Sequence, residues 1–212
     1  MPRYTSAAWR AYRPDAQRAP PPPAASKAGD CLVLGLDPGS RRTGYGLVRV
    51  LGGVPVHVAH GVIDVLPARR VRAASVSASA VAEDRTGGLA SRLQRIYEAI
   101  HALVAAHQPA EIAIERVFLH RNADSALKLG QARGVALCAA IALGAEAHEY
   151  APRAIKQAVT GYGGAEKTQV GRMIALLLQL DAPPAPDAAD ALAIALCHVQ
   201  SRRLAAVLGS GA

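Results

Sequence analysis

Four carboxylates stand where chemistry could use them. Asp37 closes the apolar run Cys31–Asp37 (CLVLGLD), and Pro38-Gly39 stops the strand which that run predicts. Leu32, Leu34 and Leu36 share one face of such a strand, and Val33, Gly35 and Asp37 share the other. Glu115 ends Glu111–Glu115 (EIAIE) in the same way, on the face opposite Ile112 and Ile114. Asp187 and Asp190, at i and i+3 after Pro186, share one face of a helix. As N-cap and first-turn residues these two could serve only the helix dipole. Their face, however, continues into the apolar Ala191 and Ile194, which turns it towards a core. Buried carboxylates are costly without a partner, and several in one place repel. Hard divalent cations with oxygen ligands, Mg²⁺ or Mn²⁺, remove both costs. Two such ions about 4 Å apart clamp the attacking and leaving oxygens of a phosphodiester. Spacing does not itself bring the four acids together; a fold must.

The elements that would do so are legible in outline. Strands at Cys31–Asp37, 43–50 and Val54–Asp64 follow one another in antiparallel succession, with Gly52-Gly53 as a hairpin turn. Leu89, Leu93, Ile96, Ile100, Leu103 and Val104 recur at helical spacing until Pro109. A strand at Glu111–Glu115, a long helix at 122–144 and a strand at 145–150 come next, then helices at 152–159, 166–180 and 187–203. Strands alternating with helices predict a mixed sheet covered by helices, of α/β class. Leu127, Gly130, Gly134, Leu137 and Ile141 line one face of the long helix. The two glycines would let another backbone approach, within the protomer or across a dimer seam.

The domain division expected is one folded unit at 30–203, a disordered Pro/Arg-rich extension at 1–29, a flexible Ala/Ser/Arg-rich insertion at 67–88 and a tail at 204–212. Residues 1–29 lack the apolar stretch of a secretory signal, and the prolines at 20–23 oppose a helix. With 51% hydrophobic and 19% charged residues, the chain is not wholly disordered. Its longest apolar run, 135–145, is too short for a bilayer span. The net charge of +8 favours an anionic partner, but half of it lies in the extension, as Arg3, Arg10, Arg13, Arg18 and Lys27 against Asp15. Charge alone therefore decides nothing. Cys31, Cys138 and Cys197 are scattered in apolar surroundings, which argues for a reducing compartment and against a thiolate zinc site. The seven histidines show no ligand spacing and read as structural or surface residues.

Five blocks together resemble a known family. They are Gly35-Leu-Asp-Pro-Gly-Ser-Arg-Arg-Thr-Gly-Tyr-Gly46, Ala113-Ile-Glu115 with Val117-Phe118, Asn122-Ala-Asp-Ser-Ala-Leu-Lys-Leu-Gly-Gln-Ala-Arg-Gly134, Gly164-Ala-Glu-Lys167 and Asp187-Ala-Ala-Asp-Ala-Leu-Ala-Ile194. In this order they resemble the RuvC Holliday-junction resolvases from about Cys31 to His198. The block at 122–134 is the specific one, since sugar-kinase and actin-like ATPases share the opening hairpin. The resemblance implies an RNase H-like fold, a five-stranded mixed sheet flanked by helices. It implies a Mg²⁺-dependent endonuclease, with two Mg²⁺ per site and Mn²⁺ as a substitute, which nicks two opposed strands of a four-way DNA junction symmetrically. Asp37, Glu115, Asp187 and Asp190 match the family's acidic metal-binding residues. Phe118 matches an aromatic at the junction centre, and Lys156 and Lys167 match residues that meet the phosphate backbone. A homodimer, the RuvA tetramer and RuvB motor as partners, and the bacterial cytoplasm as location are also implied.

Blander readings stand beside these. Phe118 alone would be core, and Lys156 and Lys167 alone would be solvated charges. Arg41 and Arg42 in the first hairpin could reach phosphate, without a motif to support it. Three rivals for the whole chain are an RNA-trimming nuclease of the same fold, a junction binder without catalysis, and an ATPase. The acidic set opposes the second, and the lack of GxxxxGK[ST] opposes the third.

Overall fold

The computed structural model describes residues 30–65, 88–116 and 123–209. The extension at 1–29, nearly all of the 67–88 insertion and Phe118 lie outside the described residues. Five strands form one sheet: β1 (Cys31–Asp37), β2 (Arg42–Leu51), β3 (Val54–Asp64), β4 (Glu111–Glu115) and β5 (Glu146–Tyr150), in the order β3-β2-β1-β4-β5. The first three are antiparallel, with β2 and β3 joined at Gly52 and Gly53, whose φ values of 55° and 81° only glycine adopts cheaply. A register shift between Leu47 and Val48 bends the β2–β3 ribbon. β1 with β4, and β4 with β5, are parallel and joined through helices. The central strand β1 is buried on both faces, which is why it reads as an unbroken apolar run.

Helices α1 (Leu89–His107) and α2 (Ala123–Ile141) cover the face bearing Leu34, Leu36, Leu47, Ile112 and Ile114. Helices α3 (Pro152–Thr160), α4 (Lys167–Leu177) and α5 (Pro186–Gly209) cover the face bearing Val33, Val48, Val50 and Ala113. α5 is buried from Ala188 to Val199 except at Asp190. Three glycines explain how it lies so close to the sheet. A Cβ on Gly35 would come within 2.1 Å of the Ala191 carbonyl oxygen, and one on Gly44 within 1.9 Å of that of Asp187. A Cβ on Gly46 would strike Leu192. Gly35 and Gly46 are paired across β1 and β2, and Gly44 is paired with Asp37, so the helix rests on a strip without side chains.

Some boundaries differ from expectation. α4 stops at Leu177 rather than 180, where Gln179 turns to a φ of 53°. α5 continues past 203 to Gly209, so most of the expected tail is helix, with 204–208 exposed. It is also long and apolar enough to cross a membrane by composition, which no unbroken apolar run in the sequence announces. Its apolarity has another cause here, since residues 191–199 are buried between the sheet and α3 and α4. The cysteines are all free, but Cys138 is exposed on α2 rather than buried.

Candidate active site

The carboxyl ends of β1 and β4 lie side by side, with Leu36 in register with Ile114. Asp37 and Glu115 are the next residues of each strand, both on the α5 face. Asp37 also pairs with Gly44, over which the Asp187 backbone lies. Asp190 follows one turn along α5. All four acids are partly buried, at the strand ends where sheets of this kind hold ligands. Asp187 is inside the helix, where the Ala189 N–H already donates to the Ala185 carbonyl, so it is not the N-cap.

The electrostatics report their mutual proximity. Burial pushes the Asp37 carboxyl up from its ordinary 3.8 to about 7, and the charges of Asp190, Glu115 and Asp187 add to the rise. Burial and Asp190 raise Glu115, while Lys167 and Lys156 act against that rise. Lys167, first in α4, places Nζ 2.7 Å from Asp190 Oδ2. This hydrogen bond raises the Lys167 pKa, and Asp37 and Asp187 contribute further. Both lysines expected on the phosphate backbone therefore stand at the acidic centre. Lys167 is also the counter-ion of Asp190, a role its sequence position did not disclose.

Four carboxylates face two ammonium groups here, and every candidate metal donor is a carboxylate oxygen. That donor set, buried enough to hold Asp37 near neutrality, fits a hard divalent metal. Beside it an open cleft of about 620 Å³ is lined by Ser40, Arg41, Arg42, Ser125 and Asp187 among others. Arg42 is engaged with Asp64 at 3.3 Å.

One residue at this site escaped the sequence reading. Arg133 of α2 donates from Nε to the Glu115 carbonyl oxygen at 3.2 Å and reaches Glu149 at 2.8 Å. It ties α2 and β5 to the end of β4. It stands in the block at 122–134 quoted above, but its contact with Glu115 depends on how the helix packs, which the block does not state. A second miss concerns the histidines. Among the described residues, the trio whose potential ligand atoms all lie within 4.8 Å of one another is Glu111, His148 and His198, away from the acidic centre.

Comparison with known proteins agrees with this geometry. The family model "Crossover junction endodeoxyribonuclease RuvC" matches residues 33–198. Curated relatives of that name from Alkalilimnicola ehrlichii and Halorhodospira halophila are 48% and 49% identical, over 83% and 80% of this chain and 95% and 90% of theirs. The solved structure of T. thermophilus RuvC in complex with Holliday junction substrate is similar at TM-score 0.68 and 29% identity, covering 82% of this chain and 96% of that one. The yeast mitochondrial resolvase Ydc2, at 12% identity and TM-score 0.53, shares the fold. The five-stranded mixed sheet is thus the RNase H-like fold expected.

Proposed function

The chain belongs to the RuvC family of crossover junction endodeoxyribonucleases, and from that premise we propose that it resolves four-way DNA junctions by paired, symmetric nicking. It acts in homologous recombination and DNA repair. The observation that carries this reading is the gathering of Asp37, Glu115, Asp187 and Asp190 at one end of the sheet, with Lys167 among them. The nuclease unit takes in residues 30–203 and the rest of α5.

The four carboxylates would hold the metal, as two Mg²⁺ ions replaceable by Mn²⁺, which when bound would make water a nucleophile and offset charge on the leaving 3′ oxygen. The remaining work belongs to the chain. Asp37 anchors the site on the central, buried strand. Arg133 fixes the Glu115 backbone. Lys167, now resting on Asp190, is free to turn to a phosphate oxygen once that carboxylate is otherwise engaged. Lys156, near enough to act on the charge of Glu115, meets the backbone as well. The products carry 5′-phosphate and 3′-hydroxyl ends, ready for ligation.

Two sites related by a dimer twofold suit a junction that is itself nearly twofold. The glycine face of α2 is the seam. A Cβ added at Gly130 or Gly134 would meet nothing within 4 Å, so no other described part of the protomer occupies this face. RuvA and RuvB are the partners we assign, in the bacterial cytoplasm.

A synthetic immobile junction tests the reading. Mg²⁺ should yield two nicks at symmetric positions, and EDTA should leave binding without cutting. Binding with no cutting after Mg²⁺ is restored would identify a non-catalytic binder; preference for structured RNA would identify a trimming nuclease. Phe118→Ala should lower the single-turnover cleavage rate more than junction affinity. Backbone charge dominates affinity, whereas a stacked base contributes about 1–3 kcal/mol. A large loss of affinity at an unchanged rate would contradict that role.

A further inference from the structure

At the opposite end of β4 from Glu115, a second polar cluster lies under α5. Glu111 is the first residue of β4, and the register sets Glu111 beside Glu146 and Ala113 beside His148. Alternation puts Glu111, Glu146, His148 and Tyr150 on the α5 face. From α5, His198 comes down among them with its side chain 1% exposed. Its Nδ1 lies 2.6 Å from the Tyr150 hydroxyl oxygen, and its Nε2 contacts Glu111 Oε2. The His148 and His198 rings are 4.4 Å apart.

The nitrogens are the informative part. If the Tyr150 O–H donates to Nδ1, the His198 Nε2–H donates to Glu111 and that pair is satisfied; if His198 instead donates its Nδ1–H to the Tyr150 oxygen, its Nε2 lone pair faces a carboxylate and a cation must stand between them. A proton would serve for that pair. It would not serve His148, whose Nε2 is buried without a hydrogen-bond partner. The nearest carboxylate to that nitrogen, Glu146 Oε1, is 3.6 Å away. A metal ion satisfies all three residues at once.

We infer that Glu111, His148 and His198 form a binding site for a transition-series divalent cation, distinct from the acidic centre. Two imidazole nitrogens and one carboxylate oxygen, mutually within 4.8 Å, suit Zn²⁺, Co²⁺ or Ni²⁺ and disfavour Mg²⁺. Tyr150 orients His198 as outer-shell partners of metal-bound histidines do. Glu146, whose Oε1 lies 3.6 Å from His148 Nε2, adds a carboxylate beside the trio. Arg202, 3.3 Å from Glu111 Oε2, is a competing cation, but it reaches neither histidine and leaves the two carboxylates with a net negative charge. The ion joins β4, β5 and the middle of α5, the elements that carry Glu115 and Asp190, so its role is to brace the sheet.

Zn²⁺ is the probe, used on the full chain after chelator treatment, in an Asp37→Asn/Asp187→Asn background that removes the acidic centre. One Zn²⁺ per chain should bind in calorimetry. At about a hundredfold excess over Kd it should raise Tm by about 5–10 °C, and Mg²⁺ should not. His148→Ala, on an edge strand, should weaken Zn²⁺ by about a hundredfold, and His60→Ala should leave it unchanged. Should His148→Ala fail to fold, histidine ring NMR of the background protein decides: Zn²⁺ must shift His148 and His198 but not His57 or His60. Absence of Zn²⁺ binding, affinity indifferent to His148→Ala, or ring shifts confined to other histidines would overturn the site. His198 would then be a buried hydrogen-bonding link between Tyr150 and Glu111.

Discussion

Asp37→Asn is expected to abolish junction cutting and, in EDTA, to make the protein more stable. The first effect follows from position. Burial raises the Asp37 pKa to about 7, and the charges of Asp190, Glu115 and Asp187 act on it. Losing a ligand there removes several kcal/mol of transition-state stabilisation, about a thousandfold or more in rate. Junction affinity should persist, because no cationic contact is lost. The second effect follows from linkage. In the folded chain the Asp37 carboxyl is pushed up to about 7 from 3.8, so between those values the native state holds a proton that the unfolded state releases. Stability present at low pH is therefore lost as pH rises through that window. The ceiling of the loss is about 4 kcal/mol at about 1.36 kcal/mol per unit, and rearrangement of Lys167 reduces it. Asn carries no such charge. Denaturant unfolding in EDTA should show parent and variant alike near pH 4 and the variant more stable at about pH 8. An active variant would remove Asp37 from the site; a variant less stable at the higher pH would show that the negative pocket carries no strain. By the same logic protons compete with metal, and the Mg²⁺ concentration for half-maximal cutting should rise as pH falls below about 7.

That trade between stability and function was half visible in the sequence. Asp37 and Glu115 were legible because strand alternation is strict: each acid falls on the face opposite a run of Leu or Ile, and no helix register blurs the reading. The Asp187/Asp190 pair was legible as a face, but its N-cap alternative falls only because α5 begins at Pro186. Gly35, Gly44 and Gly46 stood in the first quoted block with no structural role assigned to them. Their purpose, admitting the α5 backbone, depends on a helix more than 140 positions away. Contacts of that kind leave no local periodicity. The same holds for Arg133 at the Glu115 carbonyl, Lys167 on Asp190, and the approach of His148 to His198. Helix ends were misjudged where apolar spacing outlasts or falls short of the hydrogen-bonded turns, as at Leu177 and Gly209.

Gly134→Glu is expected to turn a dimer into monomers without weakening the fold. α2 is apolar on two sides. Ala132, Ala136, Ala139 and Ala140 are buried against the sheet. Leu127 and Ile141 are 63% and 44% exposed on the other side, with Gly130 and Gly134 open between them. A helix spending two glycines in its interior gives up about 1 kcal/mol for each, which close approach of a second backbone would offset. Across a twofold axis the face meets its own copy, so one substitution introduces two carboxylates into a desolvated seam. In the lone protomer the new side chain enters open space, and Glu is the better helix former. Denaturant stability measured where the parent is monomeric should therefore be equal or higher. Sedimentation should give half the parent's mass at concentrations where the parent is dimeric, and paired nicking should give way to slow, uncoordinated single nicks. A variant that stays dimeric would move the seam off α2. Arg133, adjacent to Gly134 and bonded to the Glu115 carbonyl, makes the coupling direct: the helix proposed as the seam also holds the end of the strand that bears Glu115. Loss of the seam should thus lower the rate at each site as well as the pairing of the cuts.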